Sequence, residues 1–164
     1  MKTLTVILLL ILCIAKAPAQ SLGNSRMDKF ELAVALIKHF EGWHGSRHYP
    51  YIGYGHRIQP SEHFRLPLTR RHADIVLRSD LRKLCRIFSY LGKDSLLIAT
   101  LAYNVGPGTL LGTATRPKSS LIQKLERGDR NIRSDYLQYC RYNSKAMPSI
   151  RKRSIVEYQV LFIK

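Results

Sequence analysis

Leu96, Leu97, Ile98, Ala99, Leu101 and Ala102 leave the segment from Ser95 to about Asn104 without a polar face. A helix that is apolar all round is stable only when other elements surround it. Whatever this chain folds into is therefore built around that segment. Asp94 stands at its N-cap position, and Gly106-Pro107-Gly108 breaks it.

The flanking stretches have the periodicity of elements that could wrap it. Behind a Ser25-Arg26-Met27-Asp28 capping box, Phe30, Ala33, Val34, Ile37, Phe40 and Glu41 recur at three- and four-residue spacing, and Gly42 is a natural stop. Thr69 is the expected N-cap of a helix from about Arg70 to Tyr90, with Ala73, Val76, Leu77, Leu81, Leu84 and Phe88 on one face and Gly92 beyond its end. Leu110 to Lys118 reads as a loop. Ser119 to Arg127 reads as a short helix closed by Gly128, and Ile132, Tyr136, Leu137 and Cys140 mark another. Pro148 opens a last helix through Ile163, with Ile150, Ile155, Leu161 and Phe162 as apolar contacts. Between the first two helices Gly45, Pro50, Gly53, Gly55 and Pro60 punctuate Tyr49, Tyr51, Ile52 and Tyr54, so short strands with tight turns are expected. The fold class is α+β, mainly α, with a small β-hairpin lobe after the first helix and a helical C-terminal lobe.

The 164 residues suffice for one domain. Lys2, the apolar run Val6 to Ala15 and the small residues Ala17-Pro18-Ala19 form a signal-peptide pattern over 1–19, too short for the ~20 residues of a membrane span. The domain is then 20–164, in the periplasm or secreted. Export removes Cys13 and leaves Cys85 and Cys140. In an oxidising compartment these would form one bridge closing a loop of roughly fifty residues, worth about 4 kcal/mol at most; two small buried apolar residues are the alternative. The formal charge of +16 exceeds what solubility requires and favours a polyanionic envelope partner over nucleic acid, which an exported protein seldom meets.

The chemistry concentrates at Phe40-Glu41-Gly42 and Gly53-Tyr54-Gly55-His56. Glycoside cleavage needs a protonated acid at the leaving oxygen. Burial of Glu41 at a helix end beside Phe40 and Trp43 would keep it protonated near neutral pH; the alternative is a structural carboxylate bonded to a basic neighbour. Gly53 and Gly55 allow a tight turn and close approach to a ligand. His56 would hold that turn or bond to Glu41. Trp43 would stack on sugar or join the core. The histidines have no helical metal-site spacing, so no metal or other cofactor is expected. Arg151-Lys152-Arg153 reads as a solvated basic face.

Together these segments resemble the phage-type lysozymes of glycoside hydrolase family 24. Leu101-Ala102-Tyr103-Asn104-Val105-Gly106 is similar to that family's buried helix ending in Asn-x-Gly. Ser120-Leu121-Ile122-Gln123-Lys124-Leu125-Glu126-Arg127-Gly128-Asp129 and Arg153 to Glu157 resemble its later segments. The wording His48-Tyr49-Pro50-Tyr51 and Gly53-Tyr54-Gly55-His56 more narrowly resembles lysozyme-like proteins encoded with Bacteroides-type conjugative transfer systems. The resemblance implies a monomeric muramidase acting on peptidoglycan, with envelope secretion or conjugation proteins as possible associates. Glu41 would be the general acid. Gly53, Tyr54, Gly55, His56 and Asn104 would bind substrate or support the site. The family's Asp between the Glu and the Gly-x-Gly-His turn is missing, as is its Thr, where Tyr51 stands. Three routes then remain: His48 or Tyr51 positions water, a carboxylate such as Glu62 or Asp74 folds into place, or Glu41 works alone as in lytic transglycosylases. A non-enzymatic peptidoglycan-binding relic is the rival class.

Overall fold

The computed structural model describes residues 28–142 and 145–163. The expected signal peptide over 1–19, with Cys13, and the Ser25-Arg26-Met27 part of the capping box lie outside the described residues. Asp28 does cap the first helix, its Oδ1 accepting the Phe30 amide at 3.0 Å. Helix α1 runs Lys29–Glu41 and buries Ala33, Val34, Leu36 and Ile37. Gly42 stops it at φ +68°, a conformation that side chains with a Cβ avoid, and sends its N–H to the Lys38 carbonyl.

The punctuated stretch forms a small β lobe. A single 3₁₀ turn, Ser46–His48, leads into β1 (Tyr51–Ile52), which pairs antiparallel with β2 (His56–Arg57). Tyr51 faces Arg57, and Ile52 faces His56. His44 adds a third ply through two backbone bonds with Gly53, at 2.8 and 3.0 Å. The lobe has its own core of Ile52, Leu68 and Ala73, against which Trp43, Tyr54, Ile58 and Phe64 pack. Trp43 meets the Tyr54 ring edge-on at 5.5 Å and carries the Arg70 guanidinium at 5.0 Å. Of the two expectations for Trp43, packing is the one observed.

Thr69 accepts the His72 amide at 3.2 Å and caps α2 (Arg70–Ile87), which buries Ala73, Leu77 and Leu81. A short 3₁₀ segment, Ser89–Asp94, turns the chain into α3 (Ser95–Val105). Leu97 through Ala102 are at most 1% exposed, so α3 is the central helix its composition demands. Truncating Leu101 there would cost about 2–5 kcal/mol. One local expectation fails and one is trimmed. Asp94 makes no cap; it is buried and takes a bidentate bond from Arg130, at 2.8 and 2.7 Å. The loop expected over Leu110 to Lys118 holds from Gly112 onward, but its first two residues belong to α4 (Pro107–Leu111), where Pro107 occupies a first-turn position at which its missing N–H costs nothing.

The remaining elements are α5 (Ser120–Glu126), capped by Ser119, α6 (Arg133–Leu137), an unforeseen hairpin of β3 (Arg141–Tyr142) with β4 (Lys145–Ala146), and α7 (Pro148–Leu161). Helix α7 packs on α1, α3 and α6. The architecture is thus mainly helical with a small antiparallel hairpin lobe.

Two further expectations are corrected. The basic run is not one solvated face: Arg153 is buried, together with Ser154 and Glu157. A charge at a buried helical position is tolerable only when paired, as this one is. The expected disulfide is absent, and Cys85 and Cys140 are free thiols. Cys85 sits where α2 meets α3, its carbonyl accepting the Ser95 hydroxyl at 3.0 Å. Cys140 lines a separate surface hollow with Ser134, Leu137, Gln138 and Arg151, so the two belong to different packing units. Burial pushes the Cys85 thiol up. No described helix is long and apolar enough to cross a membrane.

Candidate active site

Three elements meet at Glu41. The end of α1 supplies the residue, whose side chain is 21% exposed. The hairpin turn supplies Gly55, at φ +90°; a Cβ built there would lie 3.1 Å from Glu41 Oε2, so only glycine lets the turn close onto the carboxyl. Helix α7 supplies Arg153, whose Nη1 donates to Glu41 Oε1 at 2.5 Å. The apolar isolation expected for Glu41 is therefore replaced on one side by a guanidinium.

Behind that contact lies a buried relay. Arg153 Nε donates to Glu157 Oε1 at 2.7 Å, and the Tyr136 hydroxyl donates to Glu157 Oε2 at 3.1 Å. Glu157 and Tyr136 are wholly buried, and Arg153 is 5% exposed. Burial pushes the Glu157 carboxyl up, against the opposing pull of Arg153 and Tyr136. For Arg153, burial works downward but the Glu157 and Glu41 carboxylates outweigh it, so the guanidinium is held above its ordinary value. Its Nη2 is buried without a hydrogen-bond partner among the described residues.

The turn itself is anchored from two sides. Gly53 lies so close to α2 that a Cβ would sit 2.7 Å from the Ala73 Cβ. The Tyr103 hydroxyl of α3 donates to the Tyr54 carbonyl at 2.8 Å. His56 does not bond to Glu41, contrary to one of its two expected roles. Its Nδ1 meets Asp80 of α2 at 2.6 Å and its Nε2 meets Glu62 at 2.9 Å. Two carboxylates on two ring nitrogens require both nitrogens to donate, which is the imidazolium form. The Asp80 bond, supported by the Glu62 bond and both charges, raises the His56 pKa against the effect of burial.

These anchors frame an open cleft of about 720 Å³. Tyr51, Gly55, His56, Arg57 and Glu62 line it from the β lobe, Asp80, Lys83 and Ile87 from α2, and Tyr103, Asn104 and Gly106 from the end of α3. Glu41 is not itself among the cleft-lining residues; it touches the cleft through Gly55, which lines it and against which the carboxyl lies. Tyr51 and Ile87, each 44% exposed, offer the cleft apolar surface. The structure thus gathers Tyr51, Gly55, His56 and Asn104 around one opening. Tyr54 and Gly53 support the hairpin instead, Tyr54 through Trp43 and through Lys38 over its ring at 5.3 Å. His48 is not among the cleft-lining residues. Its Nδ1 accepts the Gly45 amide at 3.0 Å and closes the Ser46–His48 turn, so a catalytic part for His48 is not supported. Asp74 also drops out as a second carboxylate, because it is paired with Lys38 and Arg78.

Four participants were not singled out from sequence as parts of the site: Asp80, Tyr103, Arg153 and Glu157. Asp80 and Tyr103 have no local signal, since their partners lie 24 and 49 residues away. Arg153 and Glu157 did have one. They are four residues apart on the α7 face that also carries Leu161, where a solvated pair would not sit. No family model matches the chain, and no curated protein matches it either.

Proposed function

We propose that this chain is an exported, lysozyme-like muramidase. It would cut the β-1,4 bond between N-acetylmuramic acid and N-acetylglucosamine in peptidoglycan, with Glu41 as general acid. The observation that carries this reading is the seating of Glu41. A helix-terminal carboxyl is held between Arg153 and the Gly55 turn, and that turn lines a cleft whose other walls offer Tyr51 and Asn104. Such a fixed carboxyl can deliver a proton to the glycosidic oxygen as the sugar carbon gains positive charge. Asn104 can orient substrate amides, and the exposed Tyr51 ring can face a sugar. Arg57 and Lys83 on the cleft walls suit a polymer that carries carboxylates. In hydrolysis Tyr51 is the remaining helper for the water, since His48 is engaged elsewhere.

A second reading has a specific observation in its favour. The two carboxylates that line the cleft, Glu62 and Asp80, are both bonded to His56. With neither free to activate water, Glu41 would act alone, first as acid and then as base. The muramic acid's own 6-hydroxyl would attack its anomeric carbon and pass its proton to Glu41, leaving a 1,6-anhydro end. Mass spectrometry of a digest of purified peptidoglycan separates the outcomes. A reducing end means hydrolysis, and a product lighter by one water means transglycosylation. No soluble fragments, where a control muramidase works, would sink both readings and leave a peptidoglycan-binding relic of an envelope transfer apparatus.

A further inference from the structure

Glu157 is the buried ionisable group for which acid catalysis by Glu41 has no direct use. Both its oxygens receive donors, from Arg153 Nε at 2.7 Å and from the Tyr136 hydroxyl at 3.1 Å. Donors on both oxygens favour the ionised carboxylate, against the burial that pushes this carboxyl up. The same guanidinium turns Nη1 onto Glu41 Oε1. One cation therefore lies between two carboxyls, almost entirely out of water. A guanidinium with no other counter-ion would hold Glu41 as a carboxylate and strip it of the proton an acid must carry. With Glu157 ionised, Glu41 instead faces a neutral pair that still presents an oriented N–H.

We propose that Glu157 is a positioning residue that governs the proton on Glu41 through Arg153: it balances the guanidinium charge, so that Glu41 keeps its proton while Nη1 fixes the carboxyl in place. The catalytic use of this device rests on Glu41 being the general acid; the electrostatic coupling does not. The other titratable groups around the pair are already engaged. Lys38, in the last turn of α1, is paired with Asp74, and His39 beside it packs edge-on against Phe40. On the hairpin side His56 is held by Asp80 and Glu62. Tyr103 of α3 is spent on the Tyr54 carbonyl, and Tyr136 of α6 on Glu157. Helix α3 carries no charged residue.

Glu157→Gln keeps the shape of the side chain and removes its charge. The readouts are the NMR titration of the Glu41 carboxyl carbon and the alkaline limb of peptidoglycan release. Both should move to lower pH by about one to three units, with activity recovering in acid. A purely structural role would lower activity at every pH and leave the limb in place. The double variant Arg153→Gln/Glu157→Gln removes both charges, and the Glu41 midpoint should return to within about half a unit of native. If Glu157→Gln does not fold, the double variant decides. A midpoint more than about one unit above native would mean that Arg153 acts unbalanced in the native protein, and the proposal fails. It also fails if, in the native protein, Glu157 loses its proton at higher pH than Glu41. Failure of the enzyme reading looks different: no peptidoglycan release at any pH, whatever the titrations show.

Discussion

Gly55→Ala tests whether the hairpin turn seats the acid. The substitution acts twice. At φ +90° an alanine is strained by about 1–2 kcal/mol. Its Cβ would also lie 3.1 Å from Glu41 Oε2 and 3.3 Å from Cδ, tight enough that the carboxyl must yield by a few tenths of an ångström. That movement weakens the bond from Arg153, worth roughly another 1 kcal/mol. A total near 2–3 kcal/mol lowers the melting temperature by about 5–10 °C in a domain of this size. Because a 1 Å misplacement of a catalytic group costs on the order of 100-fold, the smaller shift here should cost about tenfold in kcat. Gly53→Ala is the contrast. Its Cβ would lie 2.7 Å from the Ala73 Cβ, so α2 itself must move and the stability loss should be larger. It touches α2 and Leu68, not Glu41, so less activity is lost per folded molecule. Thermal melts paired with peptidoglycan release, normalised to folded protein, measure both. A Gly55→Ala protein with native kcat and native melting temperature would refute the contact between turn and acid.

Three further outcomes are expected. The folded His56 pKa is raised, so the clamp's contribution is fully present below the unfolded value and is lost as pH rises through the folded one. Chemical denaturation should therefore find His56→Asn destabilised by about 2 kcal/mol near pH 5.5, below the ordinary histidine value, and the deficit should shrink in alkali. A deficit that is flat with pH would mean that charge is not what holds the turn. Tyr103→Phe leaves the Tyr54 carbonyl without its donor and should cost about 1–2 kcal/mol by the same method, whereas a neutral result would show that the tether is idle. A thiol-reactive dye should count Cys85 and Cys140 as free thiols in unfolded, unreduced protein, with Cys85 reacting slowly before unfolding because burial raises its thiol. Recovery of a Cys85–Cys140 disulfide peptide would contradict the structure.

Much of this architecture follows from local patterns. The all-apolar α3, the caps at Asp28 and Thr69, and the glycine-punctuated hairpin each declare themselves within a few residues. Glu41 and the Gly55 turn were legible for the same reason. What sequence patterns missed depends on partners far along the chain. Arg153 reaches Glu41 across 112 residues, and Arg130 draws Asp94 away from a cap across 36. In both cases a long-range ion pair overrides a local preference. The disulfide expectation failed on geometry: two cysteines suggest a bridge by count, but only packing decides whether they meet. His48 misled because a histidine beside a candidate site can equally close a turn, as its bond to the Gly45 amide does.

The central claim is that Glu41 is the acid of a peptidoglycan-cleaving site. The most direct measurement compares soluble fragment release from purified peptidoglycan by the native protein and by Glu41→Gln, which keeps the side chain's shape. Native protein should release fragments, and the variant should be slower by roughly 100- to 10,000-fold with its fold intact by circular dichroism. A Glu41→Gln protein that releases fragments at the native rate would contradict the account.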